Sequence, residues 1–145
     1  PEYKGELPDY FPKRMPNSLA KLANNQFNKL DKFNNHRRKI AKYYKKNIGG
    51  VFDINDGAIY LKYPILVNGG DEILKEFNKF NIMLEDGWRK KVIAPPKTDL
   101  CKMNYTKGEC KTAEEISNKI LILPTHINIT EDIAEKIVYL LKSLI

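Results

Sequence analysis

Four side chains in this sequence are of types that commonly do chemistry: His36 and His126, its only histidines, and Cys101 and Cys110, its only cysteines. Neither histidine lies beside a serine or cysteine in a nucleophile motif, so a catalytic triad is not expected. The cysteines share the stretch TDLCKMNYTKGEC, which contains no histidine. Zinc ligation calls for closer spacing and more ligands, and a single disulfide is unusual in a cytosolic chain. Both are therefore read as ordinary thiols, and no metal is expected. The carboxylate pairs Glu114 with Glu115 and Glu131 with Asp132 fall in the first turns of helices, where the macrodipole favours negative charge. Helix-end electrostatics explains them better than acid–base work. The Gly49-Gly50 and Gly69-Gly70 pairs lack the strand-to-helix setting of a phosphate loop and read as turns.

His126 has the most suggestive surroundings. In LILPTHINIT, Pro124 ends an apolar run and Thr130 caps the next helix, so the backbone between them is held from both sides. A residue held in that way can present its side chain to a ligand. It can equally be a turn residue that faces solvent, and the residues alone leave both readings open.

The elements that position these groups follow from the apolar spacing. Residues 1–16, PEYKGELPDYFPKRMP, have no period and read as an extended arm. From Asn17, apolar residues recur at spacings of three and four through Leu19, Leu22, Ala23, Phe27, Leu30, Phe33, Ile40, Ala41 and Tyr44, until Gly49 and Gly50 stop the run. This predicts one long amphipathic helix over residues 17–47 whose apolar face packs on the terminal helix and the sheet. On that reading Leu30→Ala costs about 2–5 kcal/mol. Ile59, Leu61, Tyr63, Ile65 and Val67 alternate as one face of a strand, and Pro64 places it at an edge or bulge. Asp71 is read as the cap of a helix with the stripe Ile73, Leu74, Phe77 and Phe80. NIMLEDGWRKKVIAPP predicts one or two short strands, and Thr112 with Glu115 the capping box of a short helix through Lys119. Ile120 to Leu123 reads as a strand. Thr130 caps a last helix with Ile133, Ile137, Leu140, Leu141 and Leu144 inside. The fold class expected is α+β: a small, mostly antiparallel sheet with helices packed on one face and a long N-terminal helix, residues 17–145 forming a single domain.

Composition bounds the function. At 145 residues, 42% of them hydrophobic, the chain can form one domain with a real core. No apolar stretch approaches the ~20 residues that span a bilayer, and the N-terminal residues are too polar for a secretory signal, so a cytoplasmic protein is expected. The formal charge of +7 permits anion or nucleic-acid binding. The basic run FNNHRRKIAKYYKKN, however, reads as the solvated face of a helix, and nucleic acid is not expected as a partner.

The stretch RMPNSLAKLANNQFNKLDKFNNHRRKIAKYY resembles the helix that opens the small C-terminal domain of the DegT/DnrJ-type sugar aminotransferases, pyridoxal phosphate enzymes of the aspartate aminotransferase fold. The likeness is carried by Arg14 to Asn17, Ala20 to Ala23, Gln26-Phe27, Arg37-Arg38 and Tyr43-Tyr44. YLKYPILV, GWRKKVIAPP and CKTAEEISNKILILPTHINITEDIAEKIVYLL follow in the family's order. Pro12 stands where many relatives have an asparagine that reaches the cofactor phosphate of the partner subunit. In the family, the Schiff-base lysine, the aspartate that pairs with the pyridine nitrogen and the stacked aromatic residue lie in a larger N-terminal domain. The resemblance therefore implies a C-terminal fragment that is not catalytic alone. In the whole enzyme it would cover the substrate cleft, help bind a nucleotide-sugar and contribute to a homodimer contact, with pyridoxal phosphate bound by the full-length enzyme and not by this chain. It implies substrate contacts at Arg14, Trp88 and His126. The alternative is a free-standing basic module of the same fold that binds an anion or nucleic acid.

Overall fold

Helical spacing sets in at Asn17 as the apolar residues require, but one helix becomes two. The computed structural model describes residues 14–50, 52–84, 89, 90, 92 and 99–145, and the chain divides into two units, residues 1–32 and 33–145. In the first, α1 (Asn17–Phe27) follows Pro16 with no side-chain cap and buries no residue. α2 (Leu30–Ile48) begins after a turn in which the Lys29 N–H donates to Gln26 O at 3.0 Å, a tight three-residue closure. The sequence supplies the reason for this break in the expected 17–47 helix. Asn24, Asn25 and Asn28 cluster there, and asparagine competes with the helix for its own backbone groups. Leu30 is 46% exposed, so the cost expected for Leu30→Ala is corrected to the surface range of about 0.5 kcal/mol.

In the second unit α2 buries Ile40, Ala41 and Tyr44. Gly49 ends the helix at φ 75°, its N–H donating to Lys45 O, a left-handed stop that glycine adopts without steric cost. Then come β1 (Lys62–Leu66), α3 (Gly70–Lys79), a 3-10 turn at Cys101–Met103, α4 (Lys111–Lys119), β2 (Ile120–Pro124) and α5 (Glu131–Leu144). The strands pair antiparallel, with Tyr63 opposite Leu123 and Ile65 opposite Leu121. These four share the face that meets Ile40, Tyr44, Ile73, Phe77, Ile137 and Leu141 in the core. The Val67 N–H donates to Lys119 O. Hydrogen-bonded pairs alternate in an antiparallel ladder, which puts Pro64 at a position whose missing N–H points outward. The architecture is α+β, as the sequence predicts.

Several local expectations shift. Ile59 and Leu61 are exposed, and of the alternating set only Tyr63 and Ile65 in β1 and Val67 just after it are buried. Gly69, not Asp71, occupies the N-cap of α3, with Asp71 in the first turn. Cys110, not Thr112, precedes α4, and no side chain caps it. Thr130 does cap α5, accepting from the Ile133 N–H at 3.3 Å. The buried face of α5 is Ala134, Ile137, Val138 and Leu141, rotated from the expected one, so Ile133 and Leu144 are exposed. Phe80 is also exposed, with the Lys136 ammonium 5.6 Å from its ring. Of the strands expected within residues 81–96, the described residues 82–84, 89, 90 and 92 form none, and the rest lie outside the described residues. So does most of the arm expected over residues 1–16. Among the described residues no helix is long and apolar enough to cross a membrane.

Candidate functional site

The corner after β2 is built around Thr125 rather than His126. Thr125 is fully buried, and its hydroxyl lies 2.6 Å from Tyr60 O and 2.9 Å from Leu61 O. One hydroxyl proton serves these two acceptors, which clamps the residues before β1 to the end of β2. On the neighbouring residue, Pro124 O accepts from the Tyr44 hydroxyl at 3.1 Å. His126 is exposed, and its carbonyl closes a turn by accepting from the Ile129 N–H. Its side chain borders an open hollow of about 290 Å³ that Leu61, Lys62, Met83, Ile122, Pro124 and Thr125 also line. That is at the small end of ligand pockets, about 300–1,000 Å³. Thr125→Val keeps the shape and removes the clamp, leaving the carbonyls one donor short. We expect a loss of about 1–3 kcal/mol in chemical denaturation, and a variant as stable as the parent would show that the hydroxyl does not hold the corner.

The segment that carries Leu61 into this hollow rests on the basic run of α2. Arg37 Nη1 donates to Leu61 O at 3.1 Å and Arg38 Nε to Ala58 O at 3.1 Å. Lys45 Nζ reaches Phe52 O at 2.7 Å and Asp53 at 3.2 Å. Lys42 pairs with Asp56 and Lys39 with Glu131. These cations tether residues 52–61 and the start of α5 to α2 and are not arrayed for an outside anion. The free-standing basic module is not supported. Within the tethered segment Phe52 stacks on Tyr60, centroids 5.6 Å apart, and the Tyr63 hydroxyl donates to Gly49 O at 2.6 Å.

A second polar cluster was invisible in the spacing of the sequence. Arg89 is 8% exposed, and its Nε donates to Asp71 at 3.1 Å while Nη1 donates to Asn118 O at 2.9 Å. Lys90, at φ 58°, donates its N–H to Ser117 O at 2.7 Å and its ammonium to the other Asp71 oxygen. The hydrogen bond from Lys90, then that from Arg89, pulls the Asp71 carboxyl down to about 2. A carboxylate whose folded pKa is depressed stabilises the fold fully above the ordinary carboxylate range. That contribution disappears as pH falls from about 4 towards 2. Stability should therefore fall with acidification across this window in the parent and fall less in Asp71→Asn; parallel profiles would contradict the cluster.

Trp88 lies outside the described residues. Arg14 is exposed just before α1, and Cys101 and Cys110 are free and exposed. Glu114 lies in the first turn of α4, as expected, and there accepts from the Gly108 N–H at 2.5 Å and the Tyr105 hydroxyl at 2.7 Å. These bonds, Gly108 first, hold its carboxyl below the usual range. Its role is to tie down a loop.

The described residues do not fit pyridoxal phosphate. Its lysine has to be gripped against the cofactor with the ring nitrogen and phosphate both satisfied. Every described lysine is at least partly exposed, and the hollow at His126 contains one lysine and no carboxylate to meet a ring nitrogen.

A comparison with curated protein sequences finds no match. Among solved structures, an aminotransferase of the DegT, DnrJ, EryC1 and StrS type from Brucella abortus is 20% identical with a TM-score of 0.65, covering 87% of this chain and 33% of that one. The sugar aminotransferase CalS13 from Micromonospora echinospora is 16% identical with a TM-score of 0.63, covering 81% of this chain and 32% of that one. DesV from S. venezuelae is 15% identical with a TM-score of 0.73, covering 97% and 41%. At these identities the likeness shows a shared fold, and this chain spans between about a third and two-fifths of each of those proteins. The family model for DegT/DnrJ/EryC1/StrS aminotransferases matches residues 7–142, nearly the whole sequence, and the chain belongs to that family.

Proposed function

We propose that this chain is the C-terminal small domain of a pyridoxal phosphate-dependent sugar-nucleotide aminotransferase. The observation that carries the proposal is the family match over residues 7–142, combined with structural relatives that extend far beyond the part this chain matches. The cofactor would supply its amino-transfer chemistry in the larger part of such an enzyme. This chain would cover one side of the substrate cleft, contact the nucleotide-sugar and contribute to a dimer. It would not transaminate alone.

His126 is the proposed substrate contact. It borders a hollow whose backbone is clamped by Thr125 on one side and turned by Ile129 on the other, so the imidazole is presented from a firm base. Arg14 and Trp88 keep the same proposed role on the family resemblance. The test is His126→Ala in the longer polypeptide encoded by the gene. A substrate contact predicts a Michaelis constant for the nucleotide-sugar raised more than about twofold, beyond ordinary surface noise. Turnover and Michaelis constant both within twofold would make His126 a corner residue only. A reading frame without an aminotransferase domain upstream of these residues would end the proposal altogether.

A further inference from the structure

The spacing of the sequence promises more buried apolar surface than the core takes up. Phe80 at the end of α3 and Ile133, Leu140 and Leu144 on α5 belong to stripes expected inside, yet Leu140 is only half-buried and the other three are exposed. Spacings of seven and four keep the α5 residues on one side of that helix, and Lys136 shares it. That side turns towards α3. The Lys136 ammonium lies 5.6 Å from the Phe80 ring centre, and Leu140 and Leu144 join Glu76, Phe77, Phe80 and Ser143 in lining a groove of about 210 Å³ between the two helices. The surplus apolar side chains therefore form one patch with a polar rim, which marks an interaction surface.

We propose that a second copy of this chain docks in this groove across a two-fold axis. Two observations favour that occupant. The first is charge. Glu76 on α3 and Lys136 on α5 flank the groove from opposite sides. Lys136 has no carboxylate partner among the described residues, and Glu76 meets only Lys79, in an exposed pair of the kind that stabilises little. A two-fold axis midway between Glu76 and Lys136 sets each Lys136 against Glu76 of the partner subunit, once on either side of a shared apolar centre. A patch with both signs around an apolar middle is complementary to itself. The second observation is position. Tyr63, Ile65, Leu121 and Leu123 face the core with α3 and α5, whereas Ile122 and Pro124 alternate to the other face of the sheet and line the hollow at His126. Groove and hollow lie on opposite sides of the sheet, so whatever covers the hollow leaves the groove open. The inference does not depend on the function proposed above. Six residues line the groove, against roughly 20–30 a side in a standard interface, so the association should be weak, with a dissociation constant of about 0.1–1 mM.

Sedimentation equilibrium on this chain, from about 10 μM to about 1 mM, tests the proposal. The expected result is a dimer that grows with concentration. Lys136→Glu or Glu76→Lys alone should weaken it at least about fivefold, and the double variant should return to within about twofold of the parent. Leu144→Gln should weaken it as well. That recovery in the double variant separates a lost contact from a damaged fold. A parent that stays monomeric over the whole range would overturn the proposal. A dimer that all three single variants form as well as the parent would remove the groove as its contact. A double variant no better than the single ones would overturn the two-fold pairing.

Discussion

Phe77→Ala is expected to lower the unfolding free energy by about 3–5 kcal/mol, the range for truncating a fully buried phenylalanine. Phe77 is 0% exposed on the inner face of α3 and belongs to the same core as Tyr63, Ile137 and Leu141. Its removal loses the transfer free energy of the ring and leaves a cavity in a close-packed core. Leu30→Ala is the control: in this chain it should stay within about 0.5 kcal/mol. Urea denaturation followed by circular dichroism measures both. A Phe77→Ala loss below about 1 kcal/mol, or a Leu30→Ala loss as large as that of Phe77→Ala, would mean that the wrong side chains have been placed inside.

Gly70→Ala should destabilise the protein, although helix propensity alone argues the opposite. Alanine is favoured over glycine within a helix by about 0.5–1 kcal/mol. At this position, however, a Cβ would sit 2.7 Å from the Arg89 Cζ and closer still to Nη1. The guanidinium is the far end of a flexible side chain, but it is buried and bonded to Asp71 and Asn118 and cannot swing aside without losing those partners. Hydrogen bonds of charged groups contribute about 1.5–3 kcal/mol, so a net loss of about 1–2 kcal/mol is expected after the propensity gain. The decisive arm is the double variant. With Arg89→Ala already in place, Gly70→Ala should become neutral or stabilising, a coupling that only contacting residues show. An equal effect of Gly70→Ala in both backgrounds would separate the two residues.

What was legible in the sequence was local. Thr130 before an apolar stripe gave the start of α5, and Gly49 gave the end of α2, because a cap and a left-handed stop each depend on a few neighbouring atoms. An antiparallel sheet was expected from the short strands, but the pairing of β1 with β2 joins residues about sixty apart and has no local signal. Capping motifs at Asp71 and Thr112 have equally good local spacing, but each lies two positions too late, since the chain enters α3 and α4 through Gly69 and Cys110 instead. The buried side of α5 is turned towards Ala134 and Val138, which are 0% and 5% exposed, and away from Ile133 and Leu144, although all four are apolar and the spacing alone fits either side.

The candidate site was legible only in outline. Pro124 and Thr130 announced a fixed corner, but burial of Thr125 instead of His126 depends on carbonyls more than sixty residues earlier. The arginines and lysines of α2 looked like a solvated face because their partners at residues 52–61 come from an irregular segment without a period. Arg89 carried no signal at all. Its partners are 18 and 29 residues away, and the surrounding WRKKV read as strand. The free-standing basic module loses its ground here, because the charges that suggested it hold the fold together.

The central claim is that this chain is the smaller part of a cofactor-dependent enzyme whose cofactor site lies in the larger part. Titrating pyridoxal phosphate into this chain and into the longer polypeptide, and following visible absorption, tests it most directly. The account predicts a saturable band at one equivalent for the longer polypeptide, and for this chain only the weak, unsaturating absorption of a control protein rich in surface lysines. A saturable one-site band in this chain alone, or none in the longer polypeptide, would contradict it.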